Sequence, residues 1–219
     1  MKRNLSTVYS NTRSKRPRLL QPLYSDNIND YITATSTYNY MVKDTLVDWL
    51  KLSSRPRSSS NSSSSKNNET FKDYILEKGN LFEESIVKYI NDNIHPVVKV
   101  GDYITPENSE QTLQLMKNGT PIIHSAPVIN KHNKTKGIID LLVRSDYINN
   151  ITSFNSLSDE ETTKRASKLN NPYHYVVVDV KFSTLPLRAD GIHIQNTDSF
   201  TAYKSQLLIY TQAIGRIQG

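Results

Sequence analysis

The sequence predicts an α/β domain, and three observations predict it. Apolar residues recur at three- and four-residue spacing within 71–93 and 198–218, the period of helices packed along one side. Between them lie "PIIHSAPVIN" (121–130), "GIIDLLVRSD" (137–146) and "YHYVVVDVKFS" (173–183), apolar runs of strand length. The 219 residues leave room for one domain of ordinary size plus tails.

The chain begins with a basic arm. Lys2, Arg3, Arg13, Lys15, Arg16 and Arg18 stand in a stretch with no acid, and they account for the entire formal net charge of +6. Residues 1–30 are expected to be disordered. "SKRPR" (14–18) reads as a nuclear import signal, a phosphate-binding patch or a solvated tail. The basic balance describes this arm and says little about the folded surface. "TSTYNYMVKDTLVDWLKL" (35–52) is expected to form a helix, with Tyr38, Met41, Leu46, Trp49 and Leu50 on its apolar face. The serine-rich 53–69 is a low-complexity linker or long loop.

"FKDYILEKGNLFEESIVKYINDN" (71–93) follows as a helix with Phe82, Ile86, Tyr89 and Ile90 as its core stripe. The next two strands flank "KHNKTK" and read as a hairpin. Polar residues 147–172, with room for a short helix, look like an insertion. "STLPLRADGIHIQN" after the third strand is a loop or a further strand. The last helix is capped by Asp198 or Ser199 and packs through Tyr203, Leu207, Tyr210, Ile214 and Ile217. The chain stops directly after it, as a fragment or module of a longer protein would.

Composition excludes several classes. There is no cysteine, so no disulfide and no cysteine-ligated zinc or iron–sulfur cluster. No apolar run reaches the length of a membrane span, and the N-terminus lacks a signal-peptide core. An intracellular protein is expected: nuclear if "SKRPR" is an import signal, cytoplasmic otherwise.

The chemistry-bearing positions are charges inside apolar strands. In "YHYVVVDVKFS", Asp179 and Lys181 share one face with Tyr175 and Val177, and Val178, Val180 and Phe182 take the other. Two apolar faces read as a buried central strand. Asp140 interrupts "GIIDLLVR" in the same way, with Ile138 and Leu142 on its face. A buried charge must be paired or must bind a metal. One acid and one lysine make a salt bridge. Two acids and one lysine leave negative charge over, which a divalent cation can neutralise. Helical phase turns Glu83 toward the core stripe and Glu84 away, and Glu83 there either joins a site or reaches back to water. Gln206 lies beside Tyr210 on the packed face of the last helix, as a satisfied core amide or a site residue.

In order along the chain stand Gly79–Glu83, Gly137–Asp140, Asp179–Lys181 and Gln206–Tyr210. This series resembles the RecB-like branch of the PD-(D/E)XK nucleases, whose motifs run G-x-x-x-[HE], G-x-x-D, [DE]-x-K and Q-x-x-x-Y. The resemblance covers 33–218, and 35–52 resembles a helix that often precedes the nuclease core. Ile139 replaces the proline before the first acid, the third motif carries Asp instead of Glu, and 147–172 lengthens the gap between the two acids.

The resemblance implies a restriction-endonuclease-like core, a mixed sheet flanked by helices, within one domain over 31–219. It implies a metal-dependent deoxyribonuclease, exonuclease more than endonuclease, acting in repair, recombination or replication. Asp140, Asp179, the Val180 carbonyl and Glu83 would hold Mg²⁺ or Mn²⁺, and Lys181 would act on water. Gln206, Tyr210 and Lys204 would contact substrate. Lys131, Lys134 and Lys136 are phosphate contacts or plain solvated surface. The implied partners are DNA that is single-stranded or has single-stranded ends, and further domains or a helicase. An inactive nucleic-acid-binding module and a structural protein with salt-bridged acids are the alternatives.

Overall fold

The computed structural model describes residues 27–53, 71–195 and 199–219. The chain divides into two units, Met1–Asp30 and Tyr31–Gly219. The described end of the first is a single 3-10 turn, Ile28–Asp30. The basic residues, "SKRPR" and nearly all of the expected linker lie outside the described residues.

The second unit is an α/β fold built on a five-stranded mixed sheet. Strand β1 (Ile32–Thr33) leads into a 3-10 helix, Ala34–Thr37, whose first turn is capped by the Thr33 hydroxyl accepting the Ser36 N–H. The helix expected over 35–52 is broken. Helix α1 (Tyr38–Met41) ends at Val42, Lys43 takes a left-handed φ of 62°, and α2 (Leu46–Ser53) starts afresh. Asn39 bridges the break by donating to Asp48 at 2.6 Å. Leu46, Trp49 and Leu50 are exposed, so the expected apolar face does not pack as one stripe.

Helix α3 (Phe71–Asn93) spans the predicted stretch. Its buried side is Ile86, Val87 and Ile90, while Phe82 and Tyr89, both predicted in the stripe, are exposed. Strand β2 (Val98–Lys99) and helix α4 (Pro106–Lys117) follow, neither expected from sequence. The α4 start is nevertheless written in Thr105-Pro106-Glu107: Thr105 caps by accepting the Asn108 N–H at 3.1 Å, and Pro106 fills the first turn. The hairpin forms as predicted from β3 (Ile122–Asn130) and β4 (Thr135–Arg144), with β4 starting two residues early.

Residues 147–172 do more than loop out. Helices α5 (Ile148–Ile151) and α6 (Asp159–Thr162) lie there, and Ile148, Ala166 and Leu169 are buried. Strand β5 (Tyr175–Val178) pairs antiparallel with β4, and α7 (Ser199–Gln218) closes the described fold. The sheet order is β1-β4-β3-β2. Strand β4 is the centre: β3 runs along one edge, while β1 and β5 share the other at opposite ends. The third predicted strand is therefore marginal rather than central, with four residues in the sheet. Its apolar character comes from helices on both faces, Tyr175 and Val177 lying in the α7 cluster and Val176 and Val178 in the α3–α5 cluster, and not from a strand on each side.

The core lies on both faces of the sheet. Met116 of α4 and Tyr210, Ala213 and Ile214 of α7 pack on one face, and Ile90 of α3 and Ile148 of α5 on the other. Strict alternation fails midway. Ile123, Ala126 and Val128 join the first cluster, as do Ile139 and Leu142, although each set mixes odd and even positions. The switch falls at Ser125, whose φ is 47°, and at Asp140 opposite it. No helix among the described residues is long and apolar enough to cross a membrane.

Candidate active site

Asp140 sits where β4 switches faces and where its pairing with β5 stops. The last β4–β5 pair is Leu141 with Val178, so Asp140 and Asp179 occupy the next, unmade pair. Instead of a backbone bond, the Val180 N–H donates to Asp140 Oδ2 at 2.7 Å. The chain thus peels away from the sheet at Asp179 and brings Lys181 back over the two acids. Lys181 Nζ lies 2.9 Å from Asp179 Oδ1 and 3.9 Å from Asp140 Oδ2. Asp179 is the deeper acid, its side chain 8% exposed.

Helix α7 supports this group from the side. Gln206 Nε2 donates to Tyr210 Oη at 3.1 Å and approaches Asp179 Oδ1 at 3.4 Å. Tyr210 is buried against Gly137, where a Cβ would stand 2.4 Å from its Cε1. That close approach is the physical use of the glycine in "GIID". Gly137→Ala is expected to destabilise the fold by about 1–3 kcal/mol, the usual cost of overpacking a core. A urea unfolding midpoint equal to that of the parent would contradict this placement of Tyr210. Gly79, by contrast, faces open space and has no such role.

Burial pushes the Asp140 carboxyl up to about 7. The nearby charge of Lys181 opposes that rise, Asp179 adds to it, the Val180 N–H opposes it, and Glu83 adds to it. Tyr210 is raised to about 12, mainly by burial.

Glu83 is half-buried and Glu84 exposed, although both line one cavity, and the partner that Glu83 takes is a histidine of β3. Glu83 Oε1 accepts from His124 Nε2 at 3.1 Å. The pair borders a cavity of about 370 Å³ that Lys99 and Asp102 also line. His124 was missed in the sequence, although it interrupts "IIHSAPV" as Asp140 interrupts "GIIDLLV". Lys204 lines a second cavity of about 260 Å³ with Arg188, His193, Ile194 and Phe200. Lys131 is exposed at the hairpin turn, and Lys134 Nζ lies 5.2 Å from the Tyr31 ring centroid.

The structure thus brings together Asp140, Asp179, Lys181, Gln206 and Tyr210, with Glu83 held nearby by His124. Among the described residues no three His, Asp or Glu side chains form a ready-made metal cage. The donor chemistry still fits a hard cation. Two carboxylates meet with one ammonium between them, and Asp140 is held where its charge is unfavourable without a neutralising partner. No protein-family model, curated protein or solved structure matches this chain.

Proposed function

We propose that this chain is a RecB-like member of the PD-(D/E)XK nucleases with a restriction-endonuclease-like core. On this reading it hydrolyses DNA phosphodiester bonds with Mg²⁺ or Mn²⁺, working as an exonuclease more than an endonuclease, in repair, recombination or replication. One observation carries the reading: two acids and a lysine converge where β4 and β5 part, beside Gln206 and Tyr210.

Asp140 and Asp179 would hold the ion, with the Val180 carbonyl and Glu83 as the further oxygen donors. When bound, such an ion supplies Lewis acidity to the phosphate and acidifies water. Lys181 carries a positive charge at Nζ beside both acids, where it can orient a water and offset charge gathering on the phosphate. Gln206 steadies Asp179, and Tyr210 fixes Gln206. Lys204 contributes a positive charge for the strand backbone.

Incubation with end-labelled single- and double-stranded DNA and RNA, in Mg²⁺, Mn²⁺ or EDTA, tests the proposal. Metal-dependent shortening of single-stranded DNA ends is expected. Absence of cleavage in every arm, or cleavage unaffected by EDTA, would overturn it. The 2.9 Å Lys181–Asp179 contact favours a second reading, a structural ion pair without activity.

The inward turn of α3 makes a separate prediction. Glu83→Gln is expected to lower cleavage by roughly 10–100-fold, as the loss of groups supporting a metal site does. Glu84→Gln should stay close to the parent. Equal rates for the two variants would remove Glu83 from the site.

A further inference from the structure

Strand β3 carries one titratable side chain, His124, within its apolar run. The sheet holds the backbone there from both sides. Just past β2, the Val100 N–H donates to the His124 carbonyl at 3.1 Å and the Gly101 N–H to the Ser125 carbonyl at 3.2 Å. On the other side His124 pairs with Leu141, the residue after Asp140 in β4. Ser125 is buried with a left-handed φ of 47°, a conformation that persists in a residue with a Cβ only where the surroundings impose it. The His124 side chain is 13% exposed. Its Nε2 lies 3.1 Å from Glu83 Oε1 and 3.3 Å from Ser125 Oγ.

An ionised carboxylate only accepts hydrogen bonds, so Nε2 is the ring nitrogen that carries the proton. A serine–histidine–acid relay is thereby ruled out. It needs both ring nitrogens, and one nitrogen cannot accept from Ser125 while it donates to Glu83. What the contact does is hold a carboxylate. Glu83 is 30% exposed on a side chain with three rotatable bonds, free to turn outward unless something ties it. A ring on a sheet-held backbone is such a tie. With Oε1 committed to His124, Oε2 is the oxygen left to a cation. Glu83 is also near enough to Asp140 for its charge to be felt there. Groups that hydrogen-bond a ligating carboxylate orient it and set the affinity for the metal.

We propose that His124 is a positioning residue for the cation site, its Nε2–H fixing Glu83 Oε1 so that Glu83 offers the ion a single oxygen, Oε2. The proposal rests on the nuclease reading and names the residue that sets how tightly the ion is held.

Calorimetric titration of Mn²⁺ into the full chain, without substrate, tests it. His124→Leu removes the donor and should weaken Mn²⁺ binding by roughly tenfold or more. His124→Gln keeps an N–H at a similar reach and should bind Mn²⁺ as the parent does. In a Glu83→Gln background, His124→Leu should cause no further loss, because His124 acts only through that carboxylate. Parental affinity in a folded His124→Leu, or an equal loss with and without the Glu83 carboxylate, would overturn the proposal. So would a His124→Gln variant as weak as His124→Leu. Nitrogen NMR of the parent's histidines in EDTA, at about pH 8 where an ordinary imidazole is neutral, reads the tautomer directly. A proton on Nε2 of His124 is expected, and one on Nδ1 would sink the idea even if His124→Leu failed to fold. No saturable Mn²⁺ binding by the parent would discard the nuclease reading and this role together. Saturable binding that His124→Leu leaves unchanged would discard the role alone.

Discussion

Asp179→Asn is expected to lower cleavage of a labelled DNA strand by on the order of a thousandfold or more while leaving the fold intact. Asp140→Asn and Lys181→Ala should do the same. Lys181 Nζ lies 2.9 Å from Asp179 and 3.9 Å from Asp140, and the neutral replacements remove the charges that meet there. Asparagine keeps the shape and one carbonyl oxygen, so Asp140→Asn can still accept the Val180 N–H. Circular dichroism of each variant, beside its cleavage rate, separates lost chemistry from lost fold. Normal cleavage by Asp179→Asn would refute the catalytic assignment. Unfolding of Lys181→Ala, with full activity in a folded Asp179→Asn, would leave the acids as a structural ion pair.

The second large effect is on stability without metal. Burial raises the Asp140 carboxyl from its ordinary 3.8 to about 7. The folded chain therefore holds a proton at Asp140 through a range in which the unfolded chain has released it. Asp140's stabilising contribution is complete below about pH 4 and is lost as pH rises through 7. Asparagine cannot ionise and escapes that loss. In EDTA, Asp140→Asn should match the parent near pH 4 and exceed it at pH 8, by on the order of 1–3 kcal/mol. Urea unfolding at the two pH values reads the difference. A variant less stable than the parent at pH 8 would mean that Lys181 satisfies the carboxylate as a salt bridge does.

Much of the site was legible because charges stand out in apolar strands. Asp140, Asp179 and Lys181 were visible as interruptions, and helical phase separated Glu83 from Glu84. The same signal stands in "IIHSAPV" at His124, but it was missed there, and with it the bond to Glu83. The bounds of α3 were legible because its period holds over many turns. The marginal place of β5 was not, because helices covering both its faces make an edge strand as apolar as a central one. Nor was the face switch, which depends on a left-handed Ser125, a conformation that no local residue type announces. Lys43 hid the break between α1 and α2 in the same way. Helix α4 was legible in its Thr-Pro-Glu start and was overlooked because its apolar residues are few.

The claim on which the rest depends is that Asp140 and Asp179 form a divalent-cation site and not merely a salt bridge to Lys181. Calorimetric titration of Mn²⁺ into the parent and into Asp179→Asn tests this without any substrate. Saturable binding by the parent is expected, weakened at least tenfold in the variant, a typical loss on perturbing a metal site. No saturable heat with the parent, or the same isotherm with both proteins, would contradict it.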